Sequence, residues 1–142
     1  MSYKINFDES IPDLVERLKR EHRQLESRLV QLETTGTVNN QSIEILEEIS
    51  EPIVRHAVEE EAIVLRVIMH KAKEQAGESI KIAQEHNWIV NFVKQKIPQL
   101  KTMSQQQAKH EVMRFIQNLR SHFLEEEQIM FPLALRANSL QP

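Results

Sequence analysis

The sequence has no cysteine and very little glycine, and these absences exclude several kinds of functional site. Without cysteine the chain can form no disulfide scaffold, no thiolate zinc site, no cysteine nucleophile and no cysteine-ligated iron–sulfur cluster. Its two glycines, Gly36 and Gly77, stand alone, which argues against a glycine-rich phosphate-binding loop. Candidate chemistry must therefore come from other side chains, and the unusual feature that is left is a set of six histidines.

Strong net charge and long apolar runs are also missing. A net charge of −3 offers no basic patch for nucleic acid. No apolar run approaches the roughly 20 residues of a membrane span, and the N-terminal residues MSYKINFDES lack the apolar core of a signal peptide. We therefore expect a cytoplasmic protein that binds neither nucleic acid nor membrane, as a monomer or a homodimer. Its 142 residues predict a single domain, 1–142, large enough to fold without disulfides.

Low glycine and proline content, with abundant Leu, Ile, Glu, Gln and Lys, predicts an all-α chain. Ser10 and Ser79 are the expected N-caps of the first and third helices, and Gly77 is the expected end of the second. Pro52 predicts a kink or a short break, and the residues before Ser10 and after Asn138 are expected to be tails. The four helices are predicted at about 11–33, 42–75, 80–97 and 104–135.

Each predicted helix carries an apolar stripe with three- and four-residue spacing, a pattern typical of an antiparallel up-down-up-down four-helix bundle. In the second and fourth helices the stripes are expected to continue through Val67 and Ile129. Polar residues interrupt all four stripes near mid-helix, and each interruption begins with a histidine. The interrupting residues are His22, His56, Glu60, His86, His122 and Glu126, called here the polar layer.

The second half of the chain repeats the first. The segment from His56 reads HAVEEEAI and the segment from His122 reads HFLEEEQI, an offset of 66 residues. Glu-His pairs at His22 and His86 recur at an offset of 64. The bundle is therefore predicted as two copies of one helical hairpin related by a pseudo-twofold axis, which would bring the polar layer together at one level.

The polar layer has the composition of a metal site. His56 and Glu60 are four residues apart, as are His122 and Glu126, and side chains at this spacing share one helical face. A lone histidine on an apolar stripe is usually a hydrogen-bonded core residue, but four at one level with two glutamates are hard to explain in that way. Buried carboxylates are costly unless paired, and a divalent ion binds both ionised carboxylate and neutral imidazole.

Six protein ligands are too many for one tetrahedral zinc ion, and they suit two ions of the iron or manganese class with both glutamates bridging. Two other interpretations fail on spacing. No histidine has a glutamate three residues before it, as ferritin-like di-metal sites require. His110 and Glu111 resemble the start of a zinc-protease motif, but Arg114 occupies the position of its second histidine.

The polar layer resembles the ligand pattern of the hemerythrin-like, or HHE cation-binding, domain family over essentially the whole chain. This resemblance favours iron over manganese or zinc. It implies a non-haem di-iron centre, with Glu60, Glu126 and an oxo or hydroxo group as bridges and the four histidines as nitrogen ligands. It also implies a small diatomic or peroxide ligand. Oxygen-carrying members place two histidines four apart on the third helix, whereas Ile82 and Val90 flank His86 here. Their last carboxylate is usually an aspartate five residues after the histidine, whereas Glu126 follows at four.

Because of these departures, we do not expect simple reversible oxygen storage. Three hypotheses for the function remain. The first is a small redox enzyme acting on hydrogen peroxide, oxygen or nitric oxide, including catalase-like stress defence. The second is a non-enzymatic module that senses oxygen or nitric oxide, or that stores or donates iron. The third treats the polar layer as a structural device in a helical oligomer. The family's iron-centre repair proteins usually carry an N-terminal cysteine, which this chain lacks.

Residues around the polar layer are assigned with alternatives. Glu59, Glu85 and Glu125 are candidate proton relays, or else solvated helix charges. Trp88 and Phe92 either line a ligand channel or pack in the bundle, and His70 and His110 are predicted at the surface.

Overall fold

Four long helices form the bundle in the computed structural model, which describes residues 4–139 and contains no strand within that range. Helix α1 spans Ile11–Thr34, and α2 covers 40–71 as Asn40–Glu59, a π-helical turn Glu60–Val64 and Leu65–Lys71. Helix α3 covers 76–102 as Ala76–Asn91, a π-helical turn Phe92–Lys96 and a 3-10 segment Ile97–Thr102. Helix α4 covers 105–139 as Gln105–Glu125, a π-helical turn Glu126–Met130 and Phe131–Ser139. The predicted all-α four-helix bundle is confirmed.

Polar caps fix the beginnings of three helices. Ser10 Oγ accepts a hydrogen bond from the Asp13 amide at 3.2 Å at the start of α1, as predicted. Asn39 and Ser42 form a reciprocal capping box that starts α2, and Ser104 caps α4. These side chains satisfy amide groups that the first helical turn leaves without partners.

The connection between α2 and α3 differs from the prediction. Ala72 leaves the helical conformation with φ −135° and ψ 60°, and a 3-10 turn Lys73–Gln75 leads into α3. Gly77 therefore lies in the first turn of α3 and does not end α2, and Ser79 is not a cap. The break falls earlier because Ala72 packs into the apolar core, so tertiary contacts override the local glycine signal.

Two other local predictions change. Helix α2 continues through Pro52 without the predicted break, and Pro52 lies on its exposed face, so the carbonyl group that loses its amide partner there can be hydrated. The residues before Ser10 are not simply a tail, because Ile5 packs on the core and Glu9 pairs with Arg17 at 2.9 Å. Residues 1–3 and 140–142 of the predicted tails lie outside the described residues.

Two apolar clusters fill the bundle and leave the polar layer between them. One contains Leu25 and Ile53, together with the adjoining ends of α3 and α4. The other contains Leu18, Ile82 and Met130. Because the clusters lie on opposite sides of each histidine along its helix, the polar layer crosses the bundle at mid-height, enclosed by apolar side chains.

Two π-helical turns begin at the glutamates of the polar layer. The Leu65 amide bonds to the Glu60 carbonyl, and the Phe131 amide to the Glu126 carbonyl, so each turn contains one extra residue. Beyond each turn the buried face shifts by one position. The stripe predicted through Ile129 is wrong, because Ile129 is 43% exposed, whereas Val67 is partly buried against the core.

Within residues 4–139, no helix is apolar over a length sufficient to cross a lipid bilayer.

Candidate metal centre

All six residues of the polar layer meet in one buried group. The side chains of Glu60 and Glu126 are fully buried, and each of the four histidines is at most 4% exposed. His22 comes from α1 and His86 from α3, while α2 and α4 each supply a histidine and a glutamate one turn apart. The helical repeat predicted from sequence thus places every one of these side chains at the centre of the bundle.

Each glutamate divides its two oxygens between the two hairpins. Glu60 Oε1 lies 2.8 Å from His86 Nε2, and its Oε2 lies 2.9 Å from His56 Nε2. Glu126 Oε1 lies 2.9 Å from His22 Nε2, and its Oε2 lies 2.9 Å from His122 Nε2. This is the arrangement of two carboxylates that each serve two neighbouring positions.

The donor atoms form two sets, each of which could hold an ion. His22 and His56 form one set with both glutamates, and His86 and His122 form the other with the same two glutamates. Within each set the ligand atoms lie within 4.8 Å of one another.

The donor atoms of these sets satisfy one another only in part. Glu60 Oε2 lies near His56 Nε2 but is buried without a hydrogen bond, and the Nε2 atoms of His22 and His56 face each other at 3.0 Å. Converging imidazole and carboxylate atoms of this kind fit a metal site.

A second set of glutamates contacts the outer nitrogen of each of the four histidines in the polar layer. His56 Nδ1 lies 2.8 Å from Glu21, and His122 Nδ1 lies 2.7 Å from Glu85, so each of these contacts stays within one hairpin. The other two contacts cross between hairpins, and they join His22 to Glu127 at 2.7 Å and His86 to Glu61 at 2.9 Å. A hydrogen bond donated by Nδ1 fixes the imidazole so that Nε2 points its lone pair at the centre.

Sequence reasoning missed Glu61 and Glu127 because they read as members of an acidic run. The signal that could have found them is the repeated triplet of consecutive glutamates. Neighbouring residues of a helix point about 100° apart, so the three carboxylates of a triplet reach different parts of the bundle. The middle glutamate of each triplet enters the centre, and the third reaches a histidine of the other hairpin.

The first glutamate of each triplet points away from the centre. Glu59 pairs with Arg17, and Glu125 lies 3.1 Å from Lys81. Of the three predicted relay residues, only Glu85 contacts a histidine of the polar layer among the described residues.

The charges in the centre are strongly coupled. Burial lowers the pKa of His86, but hydrogen bonds with Glu126, Glu60 and Glu61 outweigh it and raise the pKa to about 11. Burial also lowers the pKa of His122, but the negative charge of Glu126 outweighs burial and raises this pKa to about 9. Burial alone would raise the pKa of Glu126, yet His122 and His22 hold it well below its usual range. Positive charge at this position is thus strongly favoured, whether carried by protons or by a metal.

Two cavities reach the centre, one between α3 and α4 and one inside the bundle. A surface cavity of about 370 Å³ is lined by Glu85, Trp88, Ser121 and His122. An internal cavity of about 10 Å³, close to the space of one water molecule, touches His56, His86 and His122.

The other aromatic and histidine predictions divide as follows. Trp88 borders the surface cavity and also packs on the core beside Phe92, with ring centroids 6.0 Å apart. Phe92 packs on Phe115 with ring centroids 4.2 Å apart. His70 and His110 are exposed, as predicted.

Beside the surface cavity, Glu78 and Glu125 form an acidic pair. Burial and the neighbouring carboxylate of Glu125 raise the pKa of Glu78 from 4.5 to about 7. Glu78 Oε2 is buried without a hydrogen bond, which is consistent with a carboxyl group that resists ionisation.

We expect Glu78→Gln to change how stability depends on pH. Between about pH 4.5 and about pH 7 the folded protein retains a proton on Glu78 that the unfolded chain releases, so the free energy of unfolding falls as pH rises through this window. A neutral glutamine removes this fall. Urea unfolding at several pH values measures it, with the exposed Glu74→Gln as control, and equal slopes in Glu78→Gln and wild-type protein would contradict the expectation.

Of the comparisons with known proteins, the one with family models gives a match that agrees with the geometry. Neither the curated proteins nor the solved structures yield a match. A family model, the hemerythrin HHE cation-binding domain, matches residues 13–134, a range that contains every residue of the polar layer and all four of the outer glutamates. With most of its length matched and a buried histidine–carboxylate centre at mid-bundle, the chain belongs to the hemerythrin HHE cation-binding domain family.

Proposed function

We propose that this protein is a non-haem di-iron protein that binds or reacts with small oxidants, namely hydrogen peroxide, oxygen or nitric oxide. In this proposal His22 and His56 hold one iron ion, His86 and His122 hold the other, and Glu60 and Glu126 bridge the two together with an oxo or hydroxo group. The observation that supports it most directly is the division of each glutamate's oxygens between the two hairpins.

Two features of the donor set support iron. Each ion would receive two imidazoles and two shared carboxylate oxygens, a mixed nitrogen and oxygen set that iron and manganese accept at higher coordination numbers than zinc. Four protein donors per ion leave positions for a small ligand, and bound iron would supply the redox chemistry.

The protein's own contribution is to orient ligands and to exclude water. The outer glutamates fix the imidazole rings, and the two apolar clusters seal the ends of the centre. Glu85 accepts a hydrogen bond from His122 Nδ1 and also borders the surface cavity, so it is placed to exchange a proton between the centre and solvent. This position is the reason to retain Glu85 as a relay.

Metal quantitation combined with optical spectra tests the proposal. We expect about two iron ions per chain and a spectrum that changes on separate addition of peroxide, oxygen and nitric oxide. Repeated consumption of peroxide or nitric oxide would favour the enzyme, whereas a stable stoichiometric adduct would favour a sensing or storage module. Protein without bound metal, and with unchanged melting after chelation, would refute both and support a structural polar layer.

Substitution of an outer glutamate should weaken metal binding without abolishing it. Glu127→Gln and Glu61→Gln remove the carboxylates that orient His22 and His86, and loss of such a partner typically costs about 10–100-fold in metal affinity. Titration with a competing chelator measures the change. Glu125→Gln is the matched control, since its carboxylate contacts Lys81 and no histidine of the polar layer among the described residues. Equal affinities in all three variants would contradict the orienting role.

A further inference from the structure

The two halves of the centre have the same ligand types but different surroundings. The α1–α2 half is defined here by His22 and His56, and the α3–α4 half by His86 and His122. Because α1 repeats as α3 at an offset of 64, and α2 as α4 at an offset of 66, each neighbour of one half has a counterpart beside the other. Comparison of counterparts isolates what distinguishes the halves.

Among the described residues, stacked phenylalanine rings cover the α1–α2 half only. The His22 ring stacks on Phe123, with centroids 4.1 Å apart and planes 20° apart, and on Phe131 with centroids 5.7 Å apart. The sequence counterparts of these two phenylalanines are Ala57 and Leu65. Phe123 also lies beside His122, with centroids 6.1 Å apart, but its plane is tilted by 53° and does not stack. The imidazoles of the α3–α4 half are therefore less restrained by aromatic packing than His22.

The outer glutamates are also braced unequally. Arg17 donates to Glu21 at 2.8 Å and holds two further glutamates, so the carboxylate behind His56 is fixed by a guanidinium that is itself only 29% exposed. Its counterpart, Lys81, is 54% exposed and contacts Glu125 at 3.1 Å. A guanidinium fork orients a carboxylate more firmly than a flexible ammonium does.

Solvent access differs in the same direction. The surface cavity of about 370 Å³ between α3 and α4 reaches His122 itself. The counterpart groove between α1 and α2 has a volume of about 520 Å³ and borders Glu21 and Arg55, but His56 is not among the described residues that line it. The internal cavity does not distinguish the halves, because it borders both His56 and His122.

We propose that the α3–α4 half is the exchangeable and ligand-accessible half of the centre, and that the α1–α2 half retains its ion. Small anions and diatomic molecules reach the α3–α4 half through the surface cavity at Ser121 and His122. This inference rests on the proposed function, since it requires two bound ions.

Release of iron to excess chelator tests the retention of the two ions. The protein loaded with two ferrous ions should release them in two phases of one ion each, with rates that differ by about tenfold or more. His122→Ala should lack the fast phase and keep the slow one. Arg17→Lys should accelerate the slow phase about tenfold, whereas Lys81→Arg should leave the slow phase unchanged.

Azide binding to the oxidised protein tests access. Ser121→Trp places a large side chain in the surface cavity between α3 and α4, and we expect it to slow azide binding about tenfold or more. Arg55→Trp, at the counterpart position, fills the groove between α1 and α2 and should leave the rate unchanged. Both positions are exposed on helices, so neither substitution disturbs the core.

The results separate this inference from the proposed function. Two ions that leave in a single phase, a fast phase removed by His56→Ala in place of His122→Ala, or azide binding slowed by Arg55→Trp and not by Ser121→Trp would each overturn the inference while leaving the di-iron centre in place. A chain that binds fewer than two ions would overturn the proposed function and the inference with it.

Discussion

Glu126→Gln should remove both metal ions and not just one. Its Oε1 lies beside His22 and its Oε2 beside His122, so both ligand sets lose a charged oxygen in a single substitution. Glutamine keeps the size of the side chain but supplies only one weak oxygen donor. We expect iron content to fall from about two ions per chain to less than about half an ion.

Stability should fall together with the metal content. A ligand that binds only the folded state raises the free energy of unfolding by about 4 kcal/mol when its free concentration is about a thousandfold above Kd. Glu126→Gln loses that contribution. Metal analysis and thermal melting, each with and without chelator, measure both effects. Glu125→Gln changes the neighbouring residue on the same helix and should keep both ions. Retention of about one ion in Glu126→Gln would mean that this carboxylate serves only one half of the centre.

The sequence predicted the fold and the centre because both depend on periodicity. Apolar residues three and four apart fix which face of each helix is buried, and a histidine that interrupts such a face must lie inside the bundle. The internal repeat then adds what one helix cannot show, namely that His56 and His122 occupy matching positions in two hairpins. All six residues of the polar layer meet as predicted.

What the sequence could not reveal depends on the helix geometry near the glutamates. A π-helical turn adds one residue at Glu60 and again at Glu126, and this shift exposes Ile129 where a regular helix would bury it. Pro132 does not explain the π-helical turn at Glu126. The equivalent turn at Glu60 forms although Arg66 stands at the position that corresponds to Pro132. The contacts of Glu61 and Glu127 cross between hairpins, so they require the packing of helices as well as their periodicity.

Metal affinity should rise steeply with pH. The pKa of His122 is raised to about 9 and that of His86 to about 11, so in protein prepared without metal both imidazoles carry a proton throughout the neutral range. A metal ion must displace these protons, because it binds the neutral ring. Each displaced proton contributes about a tenfold gain in affinity per pH unit, so these two histidines alone predict about a hundredfold gain per unit below about pH 9.

Two measurements test this competition between protons and metal. Titration with a chelator of known proton affinity gives the dependence on pH, and calorimetry in buffers of different ionisation enthalpy gives the number of protons released on loading. Glu85→Gln and Glu61→Gln remove carboxylates that hold His122 and His86 protonated, so each should release fewer protons although it also binds metal less tightly. Loading that releases no protons near neutral pH would show that the imidazoles are already neutral, and the carboxylates around them would then have to be stabilised by some other charge.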